Sequence, residues 1–299
     1  MEWAGFRLHL AGGATGSLLA ALGTALPETT VPIVALIGRG PQSDSIAIGA
    51  VVGAPFLLLT LGVAVTGLAV MARRSAPLLI ADPRQVHRDL GTFLIAQALL
   101  LLAVPLPRAV RAVIAVAVLG LYAGYVGATL RGGSPAEEAP EPLHLLRRHQ
   151  RPPGWAVALQ LVGATALLIV GAELFVHALE RAADTVHLSA LVLSLVLVPV
   201  ATELPETFNS VLWVRSRDDG LAIGNVAGAT AFQACIPGAV GVAFTTWSPG
   251  RAGLASMAIS VVAAAWALVV LRNGRGRGLL LVAAALPWAV YVAVTALTG

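Results

Sequence analysis

Nine apolar stretches, each about long enough to cross a bilayer, follow one another along this chain, and no soluble fold buries that many. A hydrophobic run of about twenty residues is the mark of a transmembrane helix. The runs here cover roughly residues 9–37, 45–72, 89–107, 109–130, 155–180, 187–214, 220–246, 252–271 and 279–298. Of the 299 residues 58% are hydrophobic and 11% charged, against about 25% charged in an ordinary soluble domain. Inside lipid every backbone N–H and C=O must be satisfied internally, and spans of this length do that as helices. The expected fold is therefore all-α, a polytopic transmembrane helix bundle of about nine spans.

One long polar stretch interrupts the pattern, RGGSPAEEAPEPLHLLRRHQRPPG over residues 131–154. Its proline and charge read as a cytoplasmic loop between a first half, 1–130, with about four spans, and a second, 155–299, with about five. All nineteen basic residues are arginine. With the N-terminus inside the cell, most of them fall in cytoplasmic connections, as the positive-inside rule requires. The expected location is thus the cell membrane, multi-pass, N-terminus cytoplasmic, with the lipid bilayer as main partner. Arg7 followed by an apolar stretch also looks like a secretory signal, but the same stretch recurs internally, which argues against cleavage. The net charge of +4 follows from this topology; no basic cluster is interleaved with aromatics, so nucleic acid is not an expected partner. Trp155, Trp213 and Trp247 stand at span ends, as an aromatic belt places them. The lone Cys235 forms no disulfide within the chain and reads as a packing residue.

The two halves repeat one another. Thr24-Ala25-Leu26-Pro27-Glu28-Thr29 matches Thr202-Glu203-Leu204-Pro205-Glu206-Thr207 at an offset of 178, with His9-Leu10 and His187-Leu188 upstream at the same offset. Farther on, AIGAVVGA from Ala47 matches AIGNVAGA from Ala222 at an offset of 175. Five membrane crossings separate the two Leu-Pro-Glu-Thr motifs. An odd number reverses direction, so the repeats have inverted topology, and interrupted segments at matching places in inverted halves point to a transport site.

Depth agrees. Glu28 precedes Arg39 by eleven residues and Glu206 precedes Arg215 by nine, about 16 Å and 13 Å along a helix, which puts both acids near the middle of a hydrocarbon core about 30 Å thick. A charge there costs on the order of 3 kcal/mol, and a cation shared between the halves compensates both. Pro27 and Pro205 each remove a backbone donor, freeing the carbonyls of Gly23 and Ala201 beside the acids. The Thr24 and Thr202 hydroxyls add oxygen. The expected outcome is a broken helix in each half lining an oxygen-rich cation site. Glu203 shares a helix face with Glu206, as a further ligand, a proton carrier or a group facing water. Asn225 and Gln233 either bridge helices or ligate. Glu173 lines the pathway or pairs with His177. A plainer reading makes Pro-Glu an ordinary helix start; its inverted repetition at mid-membrane argues for the ion site. Gly49/Gly53 and Gly224/Gly228 have the spacing of close helix packing.

At these residues the chain resembles the cation/calcium exchanger superfamily, whose repeats carry Gly-Thr-Ser-Leu-Pro-Glu followed by Gly-Asn-x-x-Gly-Ser-Asn-x-Phe-Asn/Asp on the next helix. The resemblance spans both halves and implies that Glu28 and Glu206 are central ion ligands with Thr24 and Thr202 beside them. It implies ten spans, one more than is legible here. Ala50, Ala54, Pro55, Leu58, Ala229, Thr230 and Gln233 depart from the second motif, while Glu203 adds a carboxylate. The function implied is secondary active cation antiport by alternating access, Ca²⁺ exchanged for Na⁺ or H⁺. The alternative is a transport-inactive membrane protein that keeps the fold for assembly or sensing. No nucleophile, paired-histidine or phosphate-loop motif stands in the spans, so neither an enzyme nor a cofactor is expected beyond the transported cation. A homodimer is an open possibility.

Overall fold

The computed structural model describes residues 26–38, 40–73, 78–132, 153–186 and 189–298. Thr24, His9, His187 and most of the polar loop lie outside this set. The described residues form α1 (Leu26–Gly38), α2 (Ser43–Met71), α3 (Pro83–Ala103), α4 (Arg108–Gly132), α5 (Gly154–Val186), α6 (Ala190–Ser216), α7 (Asp219–Phe244), α8 (Gly250–Leu271), α9 (Gly278–Val282) and α10 (Ala285–Thr298). Eight segments are long and apolar enough to cross a membrane, α9 and α10 together making one of them, and α1 is a shorter apolar helix.

Helix boundaries differ from the hydropathy reading in several places, α5 running on to Val186, and two of the differences have a visible cause. Helix α3 starts at Pro83 instead of 89, because Asp82 caps it, accepting from the Arg84 N–H at 2.9 Å, and Pro83 takes the first turn. The arginines that look like loop residues belong to the helix. The last span is divided at Ala283–Ala284, just ahead of Pro287, which has no N–H to continue the ladder.

Helix α2 is the axis of the bundle, and most of its length is buried. Its most extensive contact among the described residues is with α6. Glycine permits this. A Cβ on Gly49 would meet Leu191 O at 2.5 Å, and one on Gly53 would meet Leu195 O at 2.3 Å and Pro199 Cγ at 2.7 Å. The two backbones therefore run closer than any side chain allows. Downstream, α2 passes through one π turn, Leu58–Gly62. The hydroxyls of Thr60 and Thr66 bond back to the carbonyls of Phe56 and Gly62, so neither polar group faces lipid.

Helices α2 and α7 lie antiparallel, and each is fastened where the other ends. Asp44 at the start of α2 accepts the Thr246 N–H at 2.8 Å, just past α7. Asp219 at the start of α7 accepts the Ile80 N–H at 2.8 Å, just past α2. The two aspartates stand 175 apart, as the repeat requires. At the first end Arg111 donates to the Thr245 carbonyl at 3.2 Å; at the second the arginine pairs with the aspartate itself, Arg73 meeting Asp219 and donating through Nε to the Val214 carbonyl at 3.0 Å, closing the end of α6. There the strand β1 (Leu78–Ile80) pairs antiparallel with β2 (Arg275–Arg277).

The main apolar core gathers α2, α3, α7 and α8 around Phe56, Phe93, Leu195 and Trp247. Trp247 departs from the belt position expected of it. It is buried at φ +46°, with Nε1 donating to the Leu100 carbonyl at 2.9 Å, whereas Trp155 is exposed as a belt residue should be. A second cluster joins α1, the first half of α2, α5 and α6 through Val31, Ala35, Ile46, Val176 and Leu179. Most of α5 otherwise faces outward.

Candidate cation site

Glu28 leaves the first turn of α1, and Glu203 and Glu206 leave the middle of α6 from one face of the helix. A carboxylate oxygen from each lies within 4.8 Å of the others, and the three residues are 3%, 0% and 1% exposed. At that spacing two ionised carboxylates repel by roughly 3 kcal/mol at an effective dielectric constant of about 20. Three of them call for positive charge. The convergence expected of Glu28 and Glu206 is present, and Glu203 completes it as the third acid.

The other expected residues divide. Thr202 donates from Oγ1 to Glu203 Oε1 at 3.0 Å. Gln233, reaching in from α7, donates from Nε2 to Glu203 Oε2 at 2.8 Å and approaches Glu28 Oε1 at 3.5 Å. It thus touches carboxylates of both repeats. Glu28 Oε2 and Gln233 Oε1 are buried and accept no hydrogen bond among the described residues. Asn225 does not join the cluster. Its Nδ2 donates to the Glu206 carbonyl at 3.0 Å and to Ser210 Oγ at 3.3 Å, so it ties α7 to α6 instead of offering oxygen. Glu173 is exposed on α5, and His177 sits 3.5 Å from Glu180.

The expected break at Pro205 is absent. Helix α6 runs without interruption from Ala190 to Ser216 through both Pro199 and Pro205. A proline removes one donor from the ladder, and here dense packing against α2 holds the remaining turns in place. What Pro27 does upstream lies outside the described residues, and α1 begins beside it at Leu26.

The site is also lopsided. At the repeat offsets, Ala25 corresponds to Glu203 and Leu58 to Gln233. The second repeat supplies two acids and the amide, the first a single acid. Two cavities flank the bundle at matching places of the two repeats. One of about 790 Å³ lies between the end of α1 and the end of α7, lined by Ile33, Leu36, Ile37, Asp44, Val240 and Phe244 among others. The other, of about 600 Å³, lies by Arg73, Gln85 and Asp219. Neither is lined by an acid of the cluster, so the carboxylates are closed off from both.

The sequence model of the sodium/calcium exchanger protein family matches residues 2–131 and 156–298. A protein of Alkalimonas amylolytica named putative antiporter CaxA is 32% identical over 130 residues, 42% of this chain and 40% of that relative. The aligned part thus spans well under half of its length. Among solved structures, an H⁺/Ca²⁺ exchanger named CAX superposes with a TM-score of 0.77 at 16% identity, covering 100% of this chain and 76% of that one. The sodium-calcium exchanger NCX_Mj, soaked with Na⁺ and Ca²⁺, superposes with a TM-score of 0.61 at 22% identity, covering 100% and 90%. These likenesses establish the fold, a bundle of two inverted repeats.

Proposed function

Because the chain belongs to the sodium/calcium exchanger protein family, we propose that it is a secondary active cation antiporter whose cargo binds among Glu28, Glu203 and Glu206. Members of this family are transporters and not enzymes. The observation that carries the reading is the meeting of three buried acids from two inverted halves within 4.8 Å. A lone buried acid anchors helices as well as any polar group does. Three together have no stable arrangement without bound cations or protons.

Ca²⁺ is the favoured cargo, since it takes six to eight oxygens at flexible geometry. Three carboxylates, Thr202 Oγ1 and Gln233 Oε1 supply most of such a shell, and Thr24 stands next to the first motif. Na⁺ or H⁺ is the counter-ion, loading the same carboxylates once Ca²⁺ has left. The likeness to an H⁺/Ca²⁺ exchanger and a sodium-calcium exchanger supports this choice. Access alternates between the two cavities, with α5 and its contact on α1 moving against the α2–α7 core. The arginine bias supports an orientation with the N-terminus and the Arg73 end on the cytoplasmic side.

The test is Ca²⁺ flux into proteoliposomes under an imposed Na⁺ or pH gradient. The parent should transport, and Glu28→Gln and Glu206→Gln should each reduce flux at least about a hundredfold, the effect of losing a central ligand. Both variants transporting at the parent's rate would remove these residues from the site. A folded parent with no flux under either gradient would favour the transport-inactive alternative.

A further inference from the structure

Gln233 makes contacts that a simple ligand has no reason to make. It is fully buried, and its amide nitrogen, not its oxygen, faces the acids, at 2.8 Å from Glu203 and 3.5 Å from Glu28. An N–H donor in that place uses carboxylate oxygens that a metal ion needs and repels the ion itself. The amide oxygen carried on the same carbon accepts nothing among the described residues. The orientation follows from charge, since an oxygen turned toward two carboxylates with no cation between them would be repelled. The last torsion of a glutamine side chain is soft and nearly two-fold, so a half-turn exchanges Nε2 and Oε1 without moving the backbone of α7.

Resting on the reading of the cluster as the cargo site, we propose that Gln233 is an amide switch that competes with the transported cation. Without cargo, Nε2 bridges Glu203 and Glu28 and so joins the two repeats. With cargo, the amide turns and Oε1 becomes a neutral ligand. The switch weakens binding by the hydrogen bonds that cargo must displace. A transporter gains by this, because the ion is released at the far side and the emptied acids are bridged again.

The asymmetry of the repeats supports the assignment. The position matching Gln233 in the first half is Leu58, fully buried and unable to donate, so one amide serves both halves. Thr202 holds the other oxygen of Glu203 at 3.0 Å, which leaves Glu203 in place while the amide turns.

Purified protein in detergent, titrated with CaCl₂ by calorimetry and melted with and without chelator, tests this. Gln233→Glu removes the competing donor and keeps an oxygen; it should bind Ca²⁺ about tenfold tighter and melt lower than the parent in chelator, with a larger Ca²⁺-induced rise. Gln233→Met removes donor and ligand alike and should bind more weakly than Gln233→Glu. In the parent, selective side-chain ¹⁵N labelling of glutamine should show one amide pair, absent in Gln233→Met, that shifts on adding Ca²⁺. The pair is assigned equally by its absence in Gln233→Glu, so this measurement stands where one of the two variants fails to fold. A Gln233→Glu protein that binds Ca²⁺ no tighter than the parent, or a Gln233 resonance unmoved by saturating Ca²⁺, overturns the switch while leaving the cargo site intact. A parent that binds neither Ca²⁺ nor Na⁺ overturns the site and the switch with it.

Discussion

At the scale of single residues, neighbouring polar groups on α7 do different work. Gln233 points its amide into the acids, whereas Asn225, two turns earlier, bonds to the Glu206 carbonyl and Ser210 Oγ. Asn225→Ala should therefore lower stability by about 1–2 kcal/mol, the cost of buried hydrogen bonds lost, and leave Ca²⁺ affinity within about threefold of the parent. Thermal melting and calorimetry on one preparation check both halves of this statement. A large loss of affinity with unchanged melting would return Asn225 to the ligand set. Glu28, Glu206 and Glu203 were legible in the sequence because an acid deep in an apolar span is costly and demands a partner. Asn225 and Gln233 were not separable there. Both are amides on one helix, and only the crossing of α7 with α6 and α1 decides which reaches the cluster.

At the scale of elements, the two ends of the α2–α7 pair are built alike but not equally strong. Asp44 accepts one N–H bond, from Thr246, beside Arg111 on the Thr245 carbonyl, while Asp219 is paired directly with Arg73, which also grips the last turn of α6. Asp219→Asn leaves a shielded guanidinium without its counter-charge and should cost about 3 kcal/mol. Asp44→Asn should cost about 1 kcal/mol. Chelator-free thermal melts of the two variants give the comparison, and equal losses would mean that Arg73 adds nothing. Periodicity and turn chemistry gave the order of the eight spans found among the described residues, but not this clamp. Arg73 reads as one more positive residue beside a span, since its partner is 146 positions away. The same limit explains Pro205. Local rules expect a break, and the tight seat of α6 on Gly49 and Gly53 overrides them.

At the scale of the whole molecule, α5 stands apart. It joins the bundle through a narrow stripe that includes Ala172, Val176, Leu179 and Ala183, while its opposite face, with Leu167 75% exposed, meets none of the core among the described residues. The motion proposed above needs that stripe to slide. Ala172→Phe should jam it, cutting exchange at least about tenfold while Ca²⁺ affinity stays close to the parent's. Leu167→Phe on the outer face of the same helix should change neither. Flux and calorimetry on the pair distinguish a blocked stroke from a damaged site.

The π turn at Leu58–Gly62 has a different reach. A turn closed by i→i+5 bonds holds one residue more than an α turn, so it resets the angular phase of all that follows on α2 by about 100°. Arg73 meets Asp219 in that phase. Deleting one residue within the turn, for instance Leu61, would straighten α2 locally and leave every cap and carboxylate in the chain, yet swing its tail away from α6 and α7. The Asp219 end should then loosen as much as it does in Asp219→Asn, which makes this single widened turn the setting screw for a closure some ten residues away.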